Sequence, residues 1–251
     1  PVRKKEDELL TQFHMDIASS IQAVTEEVVL RLTKDIAKEY DINNLCMAGG
    51  VALNCVANGK ILKKNIFKNI WIQPAAGDAG GSLGAALAYW YQELKKKRTV
   101  DPTDSMRGSY LGPSYKNTTI EKELSSLNAN FKKFSEDELI DILANELSRE
   151  KTVGWFQGRM EFGPRALGAR SILADPRSER TQKELNLKVK FRESFRPFAP
   201  SVLREDVSDW FEIDADSPYM LFVAEVKKDK QIIMSREDNN LFGIDKLNIK
   251  R

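Results

Sequence analysis

Leu45-Cys46-Met47-Ala48-Gly49-Gly50 and Asn69-Ile70-Trp71-Ile72-Gln73-Pro74-Ala75-Ala76-Gly77-Asp78-Ala79-Gly80-Gly81 decide the fold class. Each is a short apolar run that ends in a glycine-rich turn, the pattern of a buried strand handing over to a helix. Residues 51–64 between them carry a helical pattern, and residues 82–97 carry another. Upstream, Leu10, Phe13, Ile17, Ile21, Val24, Val28, Leu32 and Ile36 recur every three or four residues, which predicts a helix within 7–40. Asn43-Asn44 ends it. Strands alternating with helices make an α/β unit with a largely parallel sheet.

Residues 98–119 hold Pro102, Gly108, Gly112 and Pro113 among serines and threonines, and read as a linker. The expected division is a first domain over 1–100 and a second over 101–251. In the second, helices are predicted at 120–127, 136–149 and 180–188, and strands at 152–156, 171–174, 201–203 and 220–226. Without strict alternation this half is α+β.

Thirty-nine basic residues stand against 37 acidic ones, a net +2 that argues for neither nucleic acid nor a membrane surface as partner. Cys46 and Cys55 form no zinc motif and read as small buried hydrophobes of a reducing compartment. Trp71, Trp90, Trp155 and Trp210 are expected in the core, and His14 as an ordinary helix residue. The polar start lacks the apolar segment of a leader, and no run is long enough to span a bilayer, so a cytoplasmic location is expected. The first residue is not methionine, and the chain reads as a piece of something longer.

Gly154-Trp155-Phe156-Gln157-Gly158-Arg159-Met160-Glu161-Phe162-Gly163-Pro164-Arg165-Ala166-Leu167-Gly168-Ala169-Arg170-Ser171 sets three arginines among glycines directly after a strand. Guanidinium forks fit phosphate or carboxylate, and glycines let the backbone approach a ligand. The run reads as an anion-binding loop, against the alternative of a charged surface turn. A second basic run, Lys188 to Pro200, interleaves Lys190, Arg192 and Arg196 with Phe191, Phe195 and Phe198. There the phenylalanines are expected to anchor the segment while the cations project. If Arg159, Arg165 and Arg170 converge with Lys190, Arg192 and Arg196, they form a pocket for a phosphate-bearing substrate. The first-half turns are candidates too. Gly49 and Gly50 form one, and Gly77, Gly80 and Gly81 the other, each opening a helix N-terminus suited to phosphate. Neither is a P-loop. Asp78 could ligate a metal or cap the following helix, and Asn54 could cap a turn or hydrogen-bond a ribose.

Four segments together, Ala48 to Cys55, Gln73 to Ala86, Gly158 to Ser171 and Phe195 to Pro200, resemble the carbamoyltransferases of the nodulation-protein-U and cephamycin/tobramycin type. The resemblance implies the second lobe of an actin/sugar-kinase-like domain, followed by a YrdC-like domain. It implies that carbamoyl phosphate and ATP are joined into a carbamoyl adenylate, and that the carbamoyl group is then passed to the hydroxyl of a small-molecule acceptor alcohol. Gly49, Gly50, Asn54, Gly77, Gly80 and Gly81 would border the nucleotide. Asp78 would stand at a divalent metal, iron or magnesium, and the six cations would act on the phosphates. The family's metal-binding histidines belong to a lobe missing from this chain, so it is not expected to complete the transfer alone. Two other readings stay open: a threonylcarbamoyl-adenylate-type protein of tRNA modification, and a non-catalytic nucleotide-binding module.

Overall fold

A computed structural model describes residues 10–243 and 245–248. The first half is built on helix α1 (Gln12–Tyr40), strand β1 (Asn44–Met47), helix α2 (Cys55–Lys63), strand β2 (Asn69–Ile72) and helix α3 (Asp78–Ala88). His14 helps to cap the start of α1. Its Nδ1 accepts from the Thr11 backbone N–H at 3.2 Å and lies 2.8 Å from the Thr11 hydroxyl. β1 and β2 pair in parallel, with Asn44 opposite Asn69 and Met47 opposite Ile72, as the alternation predicts.

α1 crosses α2 through polar side chains. The Glu26 carboxylate accepts from Lys60, and Gln22 and Asn54 exchange two amide hydrogen bonds at 2.9 and 3.2 Å. Lys60 first, and Gln22 second, hold the Glu26 carboxyl below its ordinary range. Val29, Leu30 and Ala37 cover a small core of Leu45, Ile61 and Phe67. The residues that set the helical spacing, Phe13 to Ile36, lie on roughly the other side of α1 and are exposed.

The second half contains α4 (Asn117–Ser126), α5 (Glu136–Ser148), strands β3 (Val153–Phe156) and β4 (Arg170–Leu173), and short helical segments that begin with α6 (Thr181–Glu184). β3 and β4 form an antiparallel hairpin, Val153 opposite Leu173 and Phe156 opposite Arg170. The arginine-rich run is therefore the loop of a hairpin. The larger core joins both halves: Ala52, Ile72 and Ala76 pack with Met106, Tyr219 and Leu221, flanked by Phe162 and Leu167. The buried Asn58 amide donates to the carbonyls of Ala52 (2.8 Å) and Leu221 (3.0 Å). The linker is clamped where Tyr219 donates to Asp104 and accepts from the Gly108 N–H at 3.0 Å. Burial, then the Asp104 carboxylate, raises the Tyr219 pKa.

Several expectations are corrected. Residues 201–203 and 220–226 are not regular strands; the only pairing there among the described residues is a bridge between Phe211 and Val226. There the Leu221 carbonyl accepts from the Asn58 side chain. The helix predicted from residue 82 begins at Asp78 and continues past Ala88 as a wider turn, Tyr89–Glu93. A tight turn, Gly50–Leu53, precedes α2. Cys46 is exposed, because Leu45 takes the inward position on β1. Trp71, Trp90 and Trp210 are likewise exposed rather than core. No helix among the described residues is long and apolar enough to cross a membrane.

Candidate functional site

The hairpin loop is organised by one acid. The fully buried Glu161 carboxylate accepts from the Leu167 N–H at 3.0 and 3.1 Å, from the Ala169 N–H at 2.8 Å and from Arg170 Nε at 3.2 Å. Arg170 Nη2 also donates to the carbonyls of Gly163 and of Arg165, the latter at 3.0 Å. Gathered donors around a buried carboxylate set the loop before any ligand arrives. The linker pins its outer edge: Phe162 N–H donates to Ser109 at 2.7 Å and Met160 N–H to Pro113 at 3.0 Å.

The second basic run is organised by one amide. Asn186 is fully buried; its Nδ2 donates to the carbonyls of Ser194 (3.0 Å) and Arg196 (2.8 Å), and its Oδ1 accepts from Arg192 Nε at 2.6 Å. The Arg192 guanidinium lies 5.0 Å over the Phe198 ring. Arg196 pairs with Glu193 at 2.7 Å, and Lys190 is exposed. The expectation that the phenylalanines anchor and the cations project is corrected: Phe191 points to solvent, Phe195 and Phe198 are also exposed, and Arg192 is tucked in. The amide reaches Arg192 and not its neighbour, and that decides which of the two turns inward.

The two halves meet at this loop. Arg165 Nη2 donates to the Leu53 carbonyl at 3.1 Å, just before α2. Gly163, at φ 115°, passes so close to the first-half turn that a side chain there would meet the Ala75 Cβ at 3.4 Å. The two first-half turns are themselves joined, the Gly49 N–H donating to Ala76 at 2.9 Å. Gly50 opens the tight turn, and Asn54 caps α2 by accepting from the Ala57 N–H at 3.1 Å. Gly77 caps α3, and Asp78, Gly80 and Gly81 occupy its first turn. Arg159 is exposed on the hairpin loop.

Arg165 and the segment Pro197 to Pro200 line one mostly apolar cavity of about 740 Å³, with Cys55 and Phe222 on its other walls. The structure thus brings Arg165, α2's start and the uncharged end of the second basic run to one place; of the six predicted cations only Arg165 lines this cavity, where Arg204 joins it, so the expected convergence of all six is corrected. Arg170 is turned inward to Glu161. Asp78 is exposed, and no three of His, Cys, Asp and Glu among the described residues gather as a metal site. Sequence reasoning gave no role to Glu161 or to Asn186. A lone acid among three arginines was a usable signal for the first; the second carried none.

Residues 2–87 match the family described as carbamoyltransferase N-terminus, and residues 144–238 match carbamoyltransferase C-terminus. The chain belongs to the carbamoyltransferase family. Among its relatives, an uncharacterized protein of Synechocystis sp. is 56% identical over 99% of this chain and 41% of its own length. Nodulation protein NolO of Bradyrhizobium diazoefficiens is 42% identical over 88% of this chain and 40% of its own. Nodulation protein U of Rhizobium fredii is 36% identical over 73% of this chain and 29% of its own. The chain spans about two fifths of the first two relatives' length.

Proposed function

We propose that this chain is the part of an ATP-dependent O-carbamoyltransferase that binds and activates carbamoyl phosphate. The observation that carries the reading is a cavity lined by both Arg165 and Pro197 to Pro200. It joins the hairpin loop to the second basic run, next to α2. Carbamoyl phosphate, ATP and one water give carbamoyl adenylate, phosphate and pyrophosphate; an acceptor hydroxyl then attacks the carbamoyl carbon and AMP leaves. The first step releases two phosphate species, and fixed cations stabilise the charge that develops. Arg165, on the cavity wall, supplies that charge, and Arg159, Lys190 and Arg196, which lie outside the lining, are proposed to add to it. Arg170 and Arg192 hold the two loops through Glu161 and Asn186. The glycine turns at Gly49-Gly50 and at Gly77, Gly80 and Gly81 border the nucleotide.

Asp78 is proposed as one ligand of a divalent ion. A single carboxylate does not hold such an ion, and a metal there would draw its other ligands from outside the described residues. No step is routed through it. The test is pyrophosphate release from ATP by this chain, with carbamoyl phosphate present or absent. Carbamoyl-phosphate-dependent release is expected, with no transfer to an alcohol. Release that requires threonine and bicarbonate instead would replace this reading with the tRNA-modification one, and binding without release would leave a nucleotide-binding module.

A further inference from the structure

Phe191 stands out from the rest of the second basic run. It is 85% exposed, and its backbone is left-handed at φ 48°. A bulky residue rarely adopts that conformation, and such outliers persist where surrounding structure holds them and function uses them. Here the holding is visible on both sides: Lys190 N–H donates to Leu185 and Arg192 N–H to Asn186, each at 2.9 Å. Next to it, the Arg192 guanidinium covers the ring of Phe198, and Phe198 lines the shared cavity. An exposed apolar ring on a backbone held at both neighbours, beside the exposed Lys190 and one residue from the Arg192 that covers the cavity-wall ring of Phe198, can take a nucleobase by stacking while Lys190 takes a phosphate.

We infer that Phe191 is the stacking platform for the purine of the bound nucleotide, and so sets preference for a nucleotide over its bare polyphosphate. This rests on the proposed ATP-binding reading. The experiment is calorimetric titration of the chain with two probes, a non-hydrolysable ATP analogue and inorganic tripolyphosphate, for the wild type, Phe191→Ala and Phe191→Tyr. Phe191→Ala is expected to weaken the ATP analogue roughly five- to a hundredfold and to leave tripolyphosphate within about twofold. Phe191→Tyr is expected to restore the analogue's affinity. Because the side chain touches little, the melting temperature should hold. Equal effects on the two probes, or none on the analogue, would overturn the inference. A wild type that binds tripolyphosphate at least as tightly as the analogue would overturn it as well. A wild type that binds neither probe would overturn the ATP-binding reading itself, and this inference with it.

Discussion

Arg165 and Leu53, far apart in sequence, are joined by a 3.1 Å hydrogen bond from guanidinium to backbone carbonyl. A neutral carbonyl uses only part of a five-donor fork, and the cation beside the cavity retains donors for an anion. Arg165→Ala should weaken carbamoyl phosphate or ATP binding by about tenfold or more, as expected when a charge-assisted contact is lost. Arg196→Ala should do the same more mildly, because Glu193 already neutralises part of its charge. Melting curves should shift little for either variant. Unchanged affinity with an unchanged melting temperature would remove both residues from the site.

Glu161 holds the hairpin loop by accepting from two backbone N–H groups and Arg170. In Glu161→Gln one acceptor becomes a donor that faces other donors. A loss of about 1–3 kcal/mol in unfolding free energy is expected for the groups left unpaired. Denaturant titration measures it. Affinity for carbamoyl phosphate should fall in the same variant although the Glu161 side chain is fully buried, because Arg165 rides on the loop it holds.

Asp175 gives a pH signature. The Arg177 guanidinium and backbone N–H hold its carboxyl down to about 2, from an ordinary 3.8. A carboxyl with a lowered folded-state pKa stabilises the fold above its unfolded value, and that contribution drains away as pH falls from about 4 to 2. The wild type should therefore melt higher than Asp175→Asn at neutral pH. The gap should close over that acid interval in thermal scans at stepped pH.

Gly59 lies on α2 where the 220s segment crosses it. A Cβ there would come within 2.3 Å of the Val223 carbonyl oxygen, a backbone atom with no rotamer to yield. Gly59→Ala should cost about 1–3 kcal/mol as an overpacked contact, although alanine normally favours helices. A melting temperature equal to or above the wild type would show that the crossing is loose.

The parallel pairing of β1 with β2 was legible because it lies in local alternation and turn chemistry: Gly49-Gly50 and Gly77 mark the strand ends whatever else the chain does. The β3 and β4 spans were legible for the same reason. The 220s were not. Met220 to Val226 has strand composition, but its apolar side chains and carbonyls are used against Asn58, Gly59 and Ile72, contacts that local pattern cannot encode. α1 misleads in the other direction. Its most regular apolar spacing marks an exposed stripe, while the docked face combines Val29, Leu30 and Ala37 with Gln22 and Glu26, polar residues that periodicity discounts. In the site, residue types identified the two basic segments. Which cation faces the cavity and which is turned inward depends on Glu161 and Asn186, whose roles appear only once the loops are closed around them.

The core that closes over Ile72 and Ala76 needs Tyr219 and Leu221. During synthesis the ribosome releases the first half long before those side chains emerge. The early chain can coil its helices and pair β1 with β2, but it must wait with Ala52, Ile72 and Ala76 uncovered until the last part of the sequence arrives. A chain that terminates anywhere between residues 110 and 218 would carry every regular element of the first half and still lack the lid of its core. Such early stops should yield aggregates or chaperone clients rather than a small stable domain.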